Sequence, residues 1–267
     1  MVVGLLIGAF GPASVLPFLV VATALMIVGV YLLPRDIASR ASPSPPALRR
    51  ISLADAVKLA HSPSFLLFLL AASTIQASHA LYYTFATLHW RAQGFADGTI
   101  GALWALGVIA EIVLFAASGP VLARWGAGRM LLAAGIAAAV RWGLMTFDPP
   151  LWATLLLQCL HAMSFGAAHL AAIHFLSQAV PEDRGATAQG LYAAVVAGLV
   201  LGLVTIACGP LYRSLGGEAY AVMALLAVAG AASAVLLMRR WRGERGVGPI
   251  QVQPQSAAGG GMTVPEL

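Results

Sequence analysis

Charged side chains are scarce in this chain. Of its 267 residues only 9% are Asp, Glu, Lys or Arg, and 60% are hydrophobic. A soluble domain carries about 25% charged residues, so that class is excluded. Cysteine is nearly absent. Cys159 and Cys208 each lie in an apolar run and form no Cys-x-x-Cys pair, so they carry no signal for zinc or for a redox compartment. They read as small apolar packers. There is no P-loop, dinucleotide fingerprint or Ser/His/Asp pattern, so neither an enzymatic activity nor a cofactor is expected. The alternating short segments of a membrane barrel are missing too.

What is present is a series of long apolar runs. Seven are read as membrane helices, at about Val15–Leu33, Ser64–His89, Thr99–Leu122, Met130–Phe147, Leu151–Ser177, Thr187–Pro210 and Ala219–Met238. Each is near the roughly 20 residues that cross a bilayer core as a helix. The expected fold is therefore all-α, a polytopic membrane protein with the lipid bilayer as its main partner.

The net charge of +5 does not require nucleic acid. With a cytoplasmic C-terminus, twelve of the fifteen basic residues fall inside: Arg35, Arg40, Arg49, Arg50, Lys58, Arg124, Arg129, Arg184, Arg239, Arg240, Arg242 and Arg245. Arg91 and Arg213 fall outside, and Arg141 lies within a span. That asymmetry is the positive-inside rule; the expected location is the cell inner (plasma) membrane, with the C-terminus cytoplasmic. Trp90, Trp125, Trp152 and Trp241 near span ends fit an interfacial aromatic belt.

Met1–Phe10 is apolar but reaches only about 15 Å as a helix, and Gly11-Pro12 then breaks it. It reads as the end of a helix whose beginning is missing. Residues 1–33 are thus expected to be the remnant of a preceding helical half. Residues 34–63 form a linker, with Pro-rich Ser42–Pro46 and a capping-box pattern, Ser52-x-x-Asp55, before a short interfacial helix. Residues 64–238 carry six spans. Residues 239–267 are a basic, then Gly-, Gln- and Pro-rich cytoplasmic tail, expected to be disordered.

Polar residues inside the spans repeat. Gln76-Ala77-Ser78-His79-Ala80 and Gln158-Cys159-Leu160-His161-Ala162 share a Gln-x-x-His-Ala pattern. A Gln and a His three residues apart share one helical face, and such groups in lipid face a protein interior or a watery cavity. Gln76, His79 and Tyr83 form one stripe, and Gln158, His161 and Phe165 another. Trp104, Gln189 and Tyr192 are weaker cavity candidates, as is Tyr82. Glu111 lies mid-span, where a carboxyl that gains or loses a proton would serve a proton-coupled carrier; its alternative is a structural ion pair with Arg141. By helical rise Arg141 sits about 10 Å from the outer end of its span, and a structural role is favoured for it. A metal site using Glu111, His161, His169 and His174 is the competing chemistry. No pair of these shows a tight i, i+4 spacing, and no metal is expected.

Gly119-Pro120-Val121-Leu122-Ala123-Arg124-Trp125-Gly126-Ala127-Gly128-Arg129 resembles the cytoplasmic loop signature of the major facilitator superfamily, with Ala123 replacing its acidic residue. Ile100–Glu111, Ser78-His79-Ala80-x-Tyr82-Tyr83, Val140-Arg141-Trp142-Gly143 and His169-Leu170-Ala171-Ala172 are similar to the phenylpropionate permease family within it. The likeness runs from about Ser64 to Met238. It implies a twelve-helix bundle, of which this chain would hold the sixth to twelfth spans and a remnant of the fifth, so a missing N-terminal half is the expected partner. It places Gln76/His79, Glu111, Gln158/His161 and Gln189/Tyr192 on cavity-lining helices and Arg141 on a peripheral one. It also implies an aromatic monocarboxylate substrate and a proton as coupling ion.

The resulting expectation is a secondary transporter, a proton-coupled symporter of a small organic acid. Glu111 would carry the proton, and His79 and His161 would bind substrate or relay protons. The alternative is a truncated half, inactive alone or completed by a partner.

Overall fold

The computed structural model describes residues 11–32, 57, 59, 61–181 and 184–241. Met1–Phe10, most of the linker with its capping-box pattern, and the tail from Arg242 lie outside them. All regular elements among the described residues are helical. After a turn at Pro12–Ser14 come α1 (Val15–Leu32), α2 (Pro63–Ala77), α3 (Ala80–Ala92), α4 (Asp97–Ala116), α5 (Ser118–Met145), α6 (Leu151–His161), α7 (Ala167–Ala179), α8 (Gly185–Tyr192), α9 (Leu201–Leu215) and α10 (Ala219–Arg240). Two π-helical segments, Ala162–Gly166 and Ala193–Val200, join α6 to α7 and α8 to α9.

Helix starts follow local chemistry. The Ser62 hydroxyl accepts from the Phe65 amide at 3.5 Å and Pro63 occupies the first helical position of α2, where its missing N–H costs nothing. Asp97 in the first turn of α4 suits the positive end of the helix and pairs with Arg91 at 2.6 Å.

Helices long and apolar enough to cross a membrane cover Pro63–Ala92, Asp97–Ala116, Arg124–Met145, Leu151–Ala179 and Gly185–Arg240. The last, 56 residues long, contains two of the expected spans, parted by a 3-10 turn at Gly216–Glu218 where Gly216 takes φ 56°. Three expected boundaries need correction. The run expected to continue to Leu122 stops at Ala116, and Ser118 opens the next helix. The expected loop signature is helical up to Gly126, whose φ of 68° makes the kink. The span expected to end at Pro210 continues to Leu215, because a proline inside a membrane helix is tolerated when neighbours satisfy the freed groups.

α10 lies against both α5 and α2, and α4 against α6. Small residues set these distances. A Cβ on Gly135 would come within 2.9 Å of the Ala231 backbone nitrogen, and one on Gly230 within 2.5 Å of Ile75. Close backbone approach at small residues is how membrane helices gain dispersion contacts.

Two apolar clusters fill the bundle. One gathers Phe68, Phe175, Ala134 and Leu237, with Phe68 and Phe175 stacked at 4.2 Å. The other gathers Tyr82, Trp90, Trp142 and Tyr220. At its far end a polar tie joins three connections. His89, closing α3, contacts Asp148 at 2.9 Å and the Tyr212 hydroxyl at 3.1 Å. Asp148 takes the left-handed φ of 50°, and Gly217 gives it room, since a Cβ there would stand 2.6 Å from its carboxylate.

Gly135→Ala is expected to lower thermal stability relative to Gly143→Ala in the same helix, by about 1–3 kcal/mol of overpacking. Both gain the same helix propensity, but Gly143 faces open space. Thermal unfolding in detergent measures the difference, and equal midpoints would refute the close α5–α10 contact.

Candidate functional site

The polar residues collect between the two apolar clusters, where two spans depart from regular α-helix. The first span is interrupted at Ser78–His79, between α2 and α3. There the His79 amide bonds Gln76 rather than Ile75. The freed Ile75 carbonyl instead accepts from the Ser78 hydroxyl at 2.6 Å and from His79 Nδ1 at 3.0 Å. In the other span, the π-helical turn after His161 holds Ser164 and Phe165. Such irregularities recur at functional sites because they re-aim side chains.

Arg141 joins the two. It is fully buried. Its guanidinium donates to His161 Nδ1 at 2.8 Å, to Gln158 Oε1 at 3.0 Å and to Ser164 Oγ at 3.4 Å. It lies 4.5 Å from the ring centres of both Tyr82 and Trp142. A charged arginine inside a membrane span is costly to bury; hydrogen bonds and two aromatic faces offset that cost. The Tyr82 hydroxyl also donates to Gln158 Oε1, at 2.9 Å, and Trp142 Nε1 donates to Ser78 at 2.9 Å.

The direct ion pair of Glu111 and Arg141, the alternative reading of Glu111, is not formed. His161 stands between them, with Nε2 at 3.8 Å from Glu111 Oε2. The protonation pattern follows from donor counting. A guanidinium only donates, so His161 Nδ1 offers a lone pair, and Nε2 carries the hydrogen toward Glu111. His79 is assigned in the same way: Nδ1–H donates to the Ile75 carbonyl, and Nε2 accepts from the Ser164 hydroxyl at 3.1 Å. Glu111 Oε1 and Gln158 Nε2 are buried atoms without a hydrogen-bond partner.

Of the sequence-predicted residues, His79, Tyr83, Trp104, Glu111, Gln158, His161 and Phe165 come together around Arg141. His79 contacts the rings of Tyr83, His161 and Phe165. Tyr83, 42% exposed, forms the open rim with Phe165 and stacks near Trp104 at 6.4 Å. Trp104 is anchored to Thr87 at 3.1 Å. Gly107 faces His161 and Gln158, and a Cβ there would touch both. Gln76 and Tyr192 do not join this group; they neighbour each other, and Tyr192 stacks on Phe68 in the other cluster. Gln189 and His169 are exposed. Among the described residues no three His, Cys, Asp or Glu side chains converge as a metal site would require. Ser78, Trp142 and Ser164 were not singled out from the sequence. Ser164 follows His161 at i+3 in the stripe that continues to Phe165, which is the signal that could have found it.

Membrane-length helices around a buried polar cluster define a multi-pass membrane protein. The chain belongs to the MFS_1 like family, whose profile matches residues 1–222. It is 37% identical over 161 residues to a protein named "Probable 3-phenylpropionic acid transporter" from Escherichia coli (strain K12), covering 60% of this chain and 42% of that one. It is 30% identical over 144 residues to a maltose permease of Geobacillus stearothermophilus, covering 54% and 36%. It is 26% identical over 183 residues to the uncharacterized transporter YwbF of Bacillus subtilis (strain 168), covering 68% and 46%. The chain thus spans less than half the length of each of these relatives. No solved structure matches it significantly.

Arg141→Lys removes the planar fork, leaving either His161 Nδ1 without its donor or Gln158 Oε1 with the Tyr82 hydroxyl alone. The expected cost is about 1–2 kcal/mol, the upper range for hydrogen bonds between membrane helices. It is read as a lowered unfolding midpoint against Arg213→Lys, at a residue near the end of α9. Equal midpoints would show that the fork is dispensable.

Proposed function

We propose that this chain forms one side of the substrate pathway of a secondary transporter in the inner (plasma) membrane, with its C-terminus cytoplasmic. Residues 64–238 act as one six-helix half, and transport proceeds by rocking against a facing half around a midplane site. The carrying observation is the buried cluster of Arg141, His161, Gln158 and His79 with Glu111 beside it, set at the two helical interruptions.

The cargo is a small aromatic monocarboxylate moved with a proton. This reading draws on the relative named for 3-phenylpropionic acid. Tyr83, Phe165 and Trp104 supply ring faces for the aromatic part. Glu111 is the proton carrier: one of its oxygens faces His161 Nε2–H, and the other has no protein partner. His79 and His161 bind or orient the cargo. In a second reading, motivated by the chain's coverage of less than half of each relative, the chain is a truncated half that is inactive when alone, whereas in the first a second copy of it can serve as the facing half.

In proteoliposomes, an inward proton gradient is expected to drive uptake of labelled 3-phenylpropionate. Glu111→Gln is expected to abolish gradient-driven uptake while retaining exchange of labelled for unlabelled substrate. Gradient-driven uptake with unchanged pH dependence in Glu111→Gln would remove the proton role. Binding without uptake by the chain alone supports the second reading, and uptake by a monomer refutes it.

A further inference from the structure

Away from the polar cluster, a groove of about 320 Å³ opens between α2 and α10, lined by Pro63, Leu66, Leu67, Leu70, Leu236 and Arg240. Its walls follow from helical spacing. Leu66 and Leu70 are one turn apart on α2, as are Leu236 and Arg240 on α10, so each pair shares a face. Leu66, Leu70 and Leu236 are each about half exposed. Both helices belong to membrane-crossing segments, so this face meets lipid rather than water. From Pro63 to Leu70 the groove follows α2 for about 10 Å. Its volume is near the lower limit of ligand pockets, about 300 Å³, which suits a segment of one acyl chain.

Charge marks one end. Arg239 and Arg240 close α10, and among the described residues neither has an acidic partner. The first turn of α2 carries no acidic residue either. The positive-inside rule accounts for basic residues at this level, but it does not account for a leucine-walled cleft leading to one of them. Arg240 lines the cleft; Arg239 does not.

We propose that this groove is a binding site for an anionic phospholipid, with the headgroup phosphate on Arg240 and an acyl chain along Leu66, Leu70 and Leu236. A guanidinium meets a phosphate through paired N–H donors, and a basic residue beside a membrane helix attracts anionic lipid. The site is independent of the transport reading, because none of its residues touches the polar cluster.

The test is native mass spectrometry of the purified chain with phosphatidylglycerol and phosphatidylcholine of identical acyl chains. Phosphatidylglycerol is expected to be retained preferentially. Arg240→Gln is expected to lower that retention about fivefold, with Arg239→Gln close to wild type. Leu70→Trp, which fills the groove, is expected to lower retention as well. Millimolar inorganic phosphate is expected to leave the lipid bound. Equal retention of the two lipids, or no loss in Arg240→Gln or Leu70→Trp, would overturn the site. Displacement by inorganic phosphate would show a small-anion site instead.

Discussion

A guanidinium buried among membrane helices, with no carboxylate against it, is the constraint on which the centre of this protein rests. Arg141 is fully buried and its direct partners are an imidazole, an amide and a hydroxyl, with aromatic faces on Tyr82 and Trp142. Regular membrane helices have few acceptors to offer, because their backbone groups are already paired. The neighbouring spans deviate at Ser78–His79 and at Ala162–Gly166, and those deviations orient the acceptors and the residues that hold them. Trp142 is held by Ser78, which is held by the Ile75 carbonyl. The polar centre and the helical irregularities are one arrangement.

That arrangement has a chemical consequence for His161. Its Nδ1 accepts from Arg141, so an imidazolium and this contact exclude one another. A proton can reach Nδ1 only if the guanidinium withdraws. Glu111 faces the other ring nitrogen, Nε2, with one buried oxygen unpartnered. Protonation of His161 is thereby tied to the relative position of α5 and α6.

Much of this was legible in the sequence. Scarce charge and long apolar runs defined the helical membrane class, and the repeated Gln-x-x-His-Ala located two of the converging spans. His79, Gln158 and His161 do converge, because burying polar groups in lipid leaves few alternatives to packing them together. A structural role was favoured for Arg141, but its partners were not legible, since helical rise gives depth along a span and not the direction in which a long side chain reaches. A Glu111–Arg141 pair was the alternative reading because opposite charges in lipid attract; the intervening imidazole belongs to tertiary packing. The two Gln-x-x-His repeats are also not equivalent. Gln158 meets Arg141, whereas Gln76 turns toward Tyr192, a difference that spacing alone does not contain. Ser164 was hidden because its role depends on a π-helical turn that hydrophobic periodicity does not reveal.

The tautomer of His161 tests this account most directly. Nitrogen-15 NMR of histidine-labelled protein, with the His161 signal assigned by its loss in His161→Gln, reports which ring nitrogen carries hydrogen. The account predicts a neutral ring with hydrogen on Nε2 and a bare Nδ1, changing when Arg141 is replaced by Met. A hydrogen on Nδ1 in the unmodified protein, as the other tautomer or as an imidazolium, would contradict it.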